Sequence, residues 1–583
     1  MVRETTTMPA VTAETAAPAW KALAIAVGMT AALCAFILCS WQAAYETGDD
    51  IQLVRIASGA LTGTPSEFLV YCNVLLGGVL KSLYTINPQV NWYPLGLYAT
   101  HVLALTAVGY SLLRKFPGWK TAIVFLWLFL CFEAPLLLHP QYTSAAFLAG
   151  MGGLFLFAVA FDAPSAERRV TLACAVGLLW LAVAIRDSAG VYLLLLGAPW
   201  LVGIYLRTRQ RAVWVTLGVL IAGMLALQGY QHYCYRAPEW RAYLPYRDAR
   251  SALYDFPGLR GDYQPRTLTW AYKQDARTTS ALKQVGWSGN DAGMFLNLLA
   301  PTGNAPFDQQ SLRKLSRLVS HPRTIAETVG EFSLTLFGQA LWLLTSLCLL
   351  TVVVCFLVVT PAQRWVIGAT LAGMLLFECG FAYTAKLPFR LIAPSLCFVS
   401  GLCGWYLCSG TEPPLTRLLK TLRVPGALIT GLLLLVALNF LFDYLLKVST
   451  LNSLFADDAQ KLYASFTPPN DGLMVTTSSG FLYKSLSPFG DPARYRQWET
   501  ITPGAWALSS PLYTQVFNHY GITDMYLALL QRPHTFFCGT KAEAEMVKVY
   551  LAEHFHRQAT AKLLHHYDCG WPINYTLGIY SFK

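Results

Sequence analysis

Two adjacent carboxylates, Asp49 and Asp50, lie in the stretch Tyr45-Glu-Thr-Gly-Asp-Asp-Ile-Gln-Leu-Val-Arg55, just after an apolar run from Ala22 to Trp41. Neighbouring acids offer three chemistries: a general base for a hydroxyl, a divalent-cation site, or a plain solvated surface. A like charge raises one partner's pKa and makes it the better base. A second capable set is cationic. Lys386 and Arg390 flank a short Leu-Pro-Phe turn, giving a point charge and a bidentate fork, a pair suited to phosphate. The alternatives for this pair are lipid-headgroup anchoring or an ion pair with Asp443. Arg186-Asp187 is either a further basic contact or an internal salt bridge, and His139 either a proton-transfer group or, more simply, a structural histidine. In a long polar segment, Trp287, Asn290 and Asp291 are candidate binding contacts, since aromatics with polar neighbours suit both sugar faces and membrane interfaces. Trp498 and Trp506 are open to the same reading or to an interfacial one.

What positions these residues follows from composition. Of 583 residues, 55% are hydrophobic and only 13% charged, with a mean hydropathy of +0.42. A soluble chain of this length needs far more surface charge. Apolar runs of bilayer-spanning length recur from end to end, so the fold class is a polytopic α-helical membrane protein. The net charge of +11 points to cytoplasmic anchoring rather than nucleic acid, because Lys and Arg concentrate in short loops such as Arg114-Lys115 and Arg207-Thr-Arg-Gln-Arg211. No CxxC or HExxH motif occurs among the fourteen cysteines and the histidines, and most cysteines sit in apolar runs. Cys538 and Cys569 fall in a polar region and are candidates for a disulfide if that region is extracytoplasmic.

Threading by the positive-inside rule gives eleven spans, with the N-terminus inside and the C-terminus outside. Residues 1–20 read as a disordered cytoplasmic tail, 21–446 as the transmembrane module and 447–583 as a soluble extracytoplasmic α/β or α+β domain. The loops at 44–92 and 230–331 fall outside. Pro65–Tyr84 must begin and end outside, so it reads as an amphipathic interfacial helix. Phe332–Val359 reads as one span and Ala427–Leu446 as the last. Asp49, Asp50, Lys386, Arg390 and Arg186 then share the outer face. Glu378 lies within a span, where an unpaired carboxylate is expensive, which predicts an internal hydrogen-bond partner.

This arrangement resembles the GT-C superfamily of membrane glycosyltransferases. Those proteins have one span, an extracytoplasmic acidic motif with interfacial helices, further spans and often a soluble C-terminal domain. The string Asp49-Asp50-Ile…Ala57-Ser-Gly…Thr62-Gly-Thr-Pro65 is also similar to an uncharacterised bacterial membrane-protein group. The resemblance implies a bacterial inner-membrane enzyme and a polyprenyl-phosphate-linked sugar as donor. It implies an envelope glycan, lipid or protein as acceptor, and one Asp as general base. The leaving group is then an anionic lipid phosphate, which requires waiting cations such as Lys386 and Arg390. A magnesium or manganese ion between the acids remains open, although no third ligand declares itself. Two other functions compete. A transporter or flippase favours internal repeats and mid-membrane polar sites, and neither is evident here. An O-antigen polymerase or ligase relies on basic, histidine-rich outer loops without an early acidic pair.

Overall fold

The computed structural model describes residues 18–583 except 256–258, 260, 265–268, 302–304, 321–322, 339–340, 410–425, 470, 478–485, 497–499 and 570–574. The chain begins with α1 (Ala19–Ser40), α2 (Gly48–Ala57), α3 (Val74–Ile86) and α4 (Trp92–Lys115). A π turn at Phe129–Glu133 joins α5 (Trp119–Leu128) to α6 (Ala134–Leu138), and α7 (Tyr142–Ala160), α8 (Ser165–Ile185), α9 (Asp187–Thr208) and α10 (Arg211–Cys234) follow. With α17 (Pro361–Thr384) and α18 (Phe389–Cys408), the described residues contain nine helical segments long and apolar enough to cross a membrane. Leu, Val and Ile cover their outer surfaces, as at Leu195, Val215 and Leu376, which suits a bilayer as solvent.

α7 is the bundle's axis. Every residue from Tyr142 to Ala160 is buried. Its close packing depends on small residues: a Cβ on Gly152 would meet the Ala104 backbone at 2.9 Å, and one on Gly153 the Ala175 carbonyl at 2.8 Å. Backbones approach this closely where dispersion rather than water exclusion drives helix association. Because α7 is fixed, so is its N-terminus, where Gln141 Oε1 accepts from the Thr143 and Ser144 amides at 2.6 and 3.1 Å.

The polar elements gather at that end. The long segment after α10 holds α11 (Pro238–Tyr254), a hairpin of β1 (Gly261–Gln264) and β2 (Thr269–Tyr272), then α12 (Ala276–Val285), α13 (Gly289–Leu296) and α14 (Gln309–Val319). Beyond α15 (Ile325–Phe337), α16 (Trp342–Val358), the two spans and the helix α19 (Gly426–Ser465) lies the C-terminal domain. Its strands are β3 (Leu473–Thr476), β4 (Thr500–Ile501), β5 (Thr535–Gly539), β6 (Ala561–Cys569) and β7 (Tyr575–Phe582), in sheet order β4-β3-β5-β7-β6. β3 runs parallel to β4 and β5, whereas β7 is antiparallel to β5 and β6. The crossover before β5 carries α20 (Pro511–Tyr520) and α21 (Met525–Gln531), and α22 (Lys541–Phe555) follows it.

Most expected spans agree with these helices, and three boundaries change. Phe332–Val359 is not one straight helix: α15 and α16, which together are apolar enough to span, are bent by 90° at a break between them. A capping box at Thr324 and Glu327 starts α15 well before the expected span, and its apolar side chains Ile325, Val329 and Phe337 stay exposed. The helix expected over Pro65–Tyr84 starts at Val74, where the Asn73 side chain caps the Leu75 amide at 3.0 Å, so Pro65–Cys72 is a loop. The final expected span falls within α19, with residues 426–434 outside the described side chains. Of the expected Cys538–Cys569 disulfide, Cys538 lies on β5 and Cys569 ends β6, with β7 between the two strands. The side chain of Cys569 is outside the described residues.

Candidate active site

α2 presents the acidic pair at its N-terminus, where the helix dipole favours negative charge. Consecutive helical residues point about 100° apart, so the two acids separate in role. Asp50 is fully buried. Its Oδ1 accepts from Tyr93 Oη at 2.8 Å and the Tyr142 amide at 3.1 Å, and its Oδ2 from Thr47 Oγ1 at 3.1 Å. It thereby fastens α2 to the first turns of α4 and α7. Burial pushes its carboxyl up to about 8, against the opposing pull of the Tyr93 and Tyr142 donors. Asp49 instead keeps 29% of its side chain exposed and stands 3.8 Å from Arg390 Nη1. Burial also raises the Asp49 carboxyl, while Arg390, Arg186 and Arg250 pull it down and Asp255 adds to the rise.

The other end of α2 is also pinned. The fully buried Arg55 donates from Nη2 to the Thr500 carbonyl of β4 at 2.8 Å, so the C-terminal domain braces the helix that carries Asp49.

Cations surround Asp49 from three directions. Arg390 enters from the first turn of α18. Arg186, between α8 and α9, lies over two aromatic rings, 4.9 Å from Tyr71 and 5.6 Å from Tyr142. Tyr71 and Tyr142 stack on one another at 6.2 Å. Val70 holds φ +63°, rare for a β-branched residue, and its amide donates to Tyr235 Oη at 2.9 Å, which fixes how Tyr71 is presented. No carboxylate pairs with Arg186 among the described residues: Asp187 accepts instead from Gln228 at 3.1 Å, so the salt-bridge alternative fails. Arg250 arrives on α11, donating to the Gly504 carbonyl. Lys386 sits 4.5 Å from the Tyr254 ring, its amide bonded to the Asp255 carbonyl at 3.0 Å, while Arg323 caps the carbonyl of Ala385 at 2.7 Å. Asp443 pairs with Lys447, leaving Lys386 and Arg390 to the site.

The remaining candidates lie elsewhere. His139 caps α6, two residues before Gln141. Trp287, Asn290 and Asp291 bind the loop segment together and to the C-terminal domain. The Trp287 indole donates to the Pro306 carbonyl at 2.8 Å, Asn290 donates to the Met546 carbonyl at 3.0 Å, and Asp291 meets His554 at 2.8 Å. Asn290 and Asp291 hold α13 on α22, and Trp287 ties the loop to Pro306. Glu378 finds its expected internal partner in the Tyr192 hydroxyl at 3.5 Å.

Sequence reading missed Arg250, which lies in a loop too long, and too rich in other Lys and Arg, for the positive-inside rule to single it out. It also missed the wholly buried His101–Glu133 pair, at 2.5 Å between α4 and the π turn, which two ionisable residues inside apolar runs announce.

The acidic pair does not suit a hard metal ion. Three donors occupy the Asp50 oxygens and guanidinium groups face Asp49, whereas magnesium and calcium take about six or more oxygens. Among the described residues the one His/Asp/Glu cluster within ligating distance is Asp291, Glu553 and His554, at the α13–α22 contact.

No family model matches the sequence, and no curated protein matches it. Among solved structures the chain is similar to ArnT from Cupriavidus metallidurans in the apo state, at TM-score 0.40 and 11% identity over 96% of this chain and 98% of that one. It is likewise similar to the same protein bound to undecaprenyl phosphate, at TM-score 0.40 and 13% identity, with the same coverage.

Proposed function

We propose that the chain is a membrane glycosyltransferase that takes a sugar from a polyprenyl-phosphate donor and places it on an acceptor hydroxyl at the extracytoplasmic face. One observation carries this reading: the part-exposed Asp49 carboxylate, next to the buried Asp50, stands 3.8 Å from Arg390 and within electrostatic reach of Arg186 and Arg250, which come from two other elements. A base and an anion receptor then meet at one point.

The geometry supports the following roles. Asp49 accepts the acceptor's proton as its oxygen bonds to the anomeric carbon. The bond from that carbon to the phosphate oxygen breaks, and polyprenyl phosphate leaves with the electron pair. Arg390, Arg186 and Arg250, with Lys386 beside them, receive its charge, and guanidinium forks suit phosphate geometry. Asp50 orients α2 and touches no substrate. The raised Asp49 carboxyl makes a stronger base, so the acid limb of the rate profile lies above the ordinary carboxylate range.

The test is sugar transfer from a polyprenyl-phosphate donor into envelope acceptors. Asp49→Asn should lower transfer by roughly 10²–10⁴-fold while polyprenyl phosphate still binds. Full transfer by a folded Asp49→Asn protein would remove the assignment.

A further inference from the structure

The C-terminal domain sends one side chain to the edge of this site. Trp506 packs edge-on against Tyr71 at 4.8 Å, and Tyr71 is the ring beneath Arg186. Trp506 is 6% exposed, yet its indole N–H has no hydrogen-bond partner. A buried donor left without a partner is costly, and such a group is usually satisfied.

The loop that carries it is held in place. The Tyr243 hydroxyl donates to the Trp506 carbonyl at 2.6 Å, the Gly504 amide donates to the Ala300 carbonyl at 3.0 Å, and Arg250 donates to the Gly504 carbonyl. Gly504 sits at φ +64°, and a Cβ there would lie 2.3 Å from the Leu298 carbonyl oxygen, so only glycine allows this approach. Arg250 thus does two things: it faces Asp49 and holds the tryptophan loop.

We infer that Trp506 is a specificity contact for the sugar of the donor. An indole provides a flat apolar face for ring C–H groups and a single N–H for a hydroxyl, while the arginines provide for phosphate. The phosphate and the sugar are then read by different parts of the chain, the bundle with α11 for the first and the C-terminal domain for the second. This assignment rests on the transferase reading above.

The experiment measures binding to full-length protein in nanodiscs with three probes: decaprenyl phosphate, decaprenyl phosphoryl glucose and decaprenyl phosphoryl arabinose. Wild type should bind at least one glycosylated lipid more tightly than bare decaprenyl phosphate. Trp506→Phe keeps the ring and loses the N–H, and should weaken that lipid about tenfold with bare phosphate binding unchanged. Trp506→His retains a ring N–H and should recover part of the loss. Equal weakening of all three lipids, no weakening, or no preference for a glycosylated lipid in wild type overturns the inference while leaving the phosphate site standing. Failure of wild type to bind any of the three overturns the transferase reading with it.

Discussion

Arg390 Nη1 stands 3.8 Å from Asp49 Oδ2, so the proposed base and one proposed phosphate ligand neutralise each other before substrate arrives. Both side chains keep about a third of their surface exposed, and such pairs are worth roughly 0–1 kcal/mol. The pair is therefore easily exchanged. The donor's phosphodiester offers Arg390 a singly anionic partner, which becomes dianionic as polyprenyl phosphate leaves, and frees Asp49 to accept a proton. Donor binding would then prime the base, which suits an enzyme whose donor must not be lost to water.

Arg390→Ala is expected to raise the donor KM about tenfold, in line with a charge-assisted hydrogen bond of roughly 1.5–3 kcal/mol, and to change the acceptor KM much less. Lys386→Ala should show the same bias with a smaller loss, because Lys386 reaches the site beside Tyr254 and not against Asp49. Steady-state kinetics with each substrate varied in turn gives the answer. Equal losses for donor and acceptor would argue against phosphate contact.

Asp50 gives a prediction about stability and pH. Its carboxyl rises from the ordinary 3.8 to about 8 in the folded protein. Below the unfolded value both states are protonated and the group is silent. Between about 4 and 8 the unfolded chain ionises first, so stability conferred by the protonated group is lost as pH rises toward 8. Asp50→Asn cannot titrate. The wild-type Tm should therefore fall relative to that of Asp50→Asn as pH is raised from 5 to 8 in detergent. A constant difference across that range would mean that Asp50 is ionised throughout.

Metal dependence is a third check. With the Asp50 oxygens engaged by Thr47, Tyr93 and Tyr142, removal of divalent cations by EDTA should leave transfer unchanged. Activity lost in EDTA and restored by magnesium or manganese would require the acids to turn away from their present partners.

The spans were legible because hydropathy and basic loop ends report on solvent, and bilayer and water are very different solvents. The mixed α and β character of residues 447–583 was legible for a similar local reason, since the apolar runs give way there to polar sequence with shorter periodic stretches. The partition of Asp49 and Asp50 into exposed and buried roles was not. It depends on Tyr93 and Tyr142, residues far along the chain whose hydroxyl and amide are brought in by packing around α7. Arg186 illustrates the same limit. Its sequence neighbour Asp187 suggests a salt bridge, yet its partners are the rings of Tyr71 and Tyr142. The break between α15 and α16 was hidden because both helices are apolar, and hydropathy alone does not register a 90° bend.

Asp291 separates a docking role from a ligand-binding one. It is fully buried, closes the capping box with Ser288 and pairs with His554, while the Ser288 hydroxyl reaches Glu553 at 2.8 Å. Asp291→Ala leaves the part-buried Ser288 amide and His554 imidazole without this partner, at a cost of about 1 kcal/mol for each lost hydrogen bond. The expected result is a lower Tm and looser docking of α22, seen as faster proteolysis between the loop segment and the C-terminal domain. Transfer per folded molecule, with unchanged donor and acceptor KM, should persist below the new melting point, because Asp291 contacts neither α2 nor the arginines. A variant with an intact Tm and a raised KM for either substrate would return Asp291 to the binding site and move the docking role elsewhere.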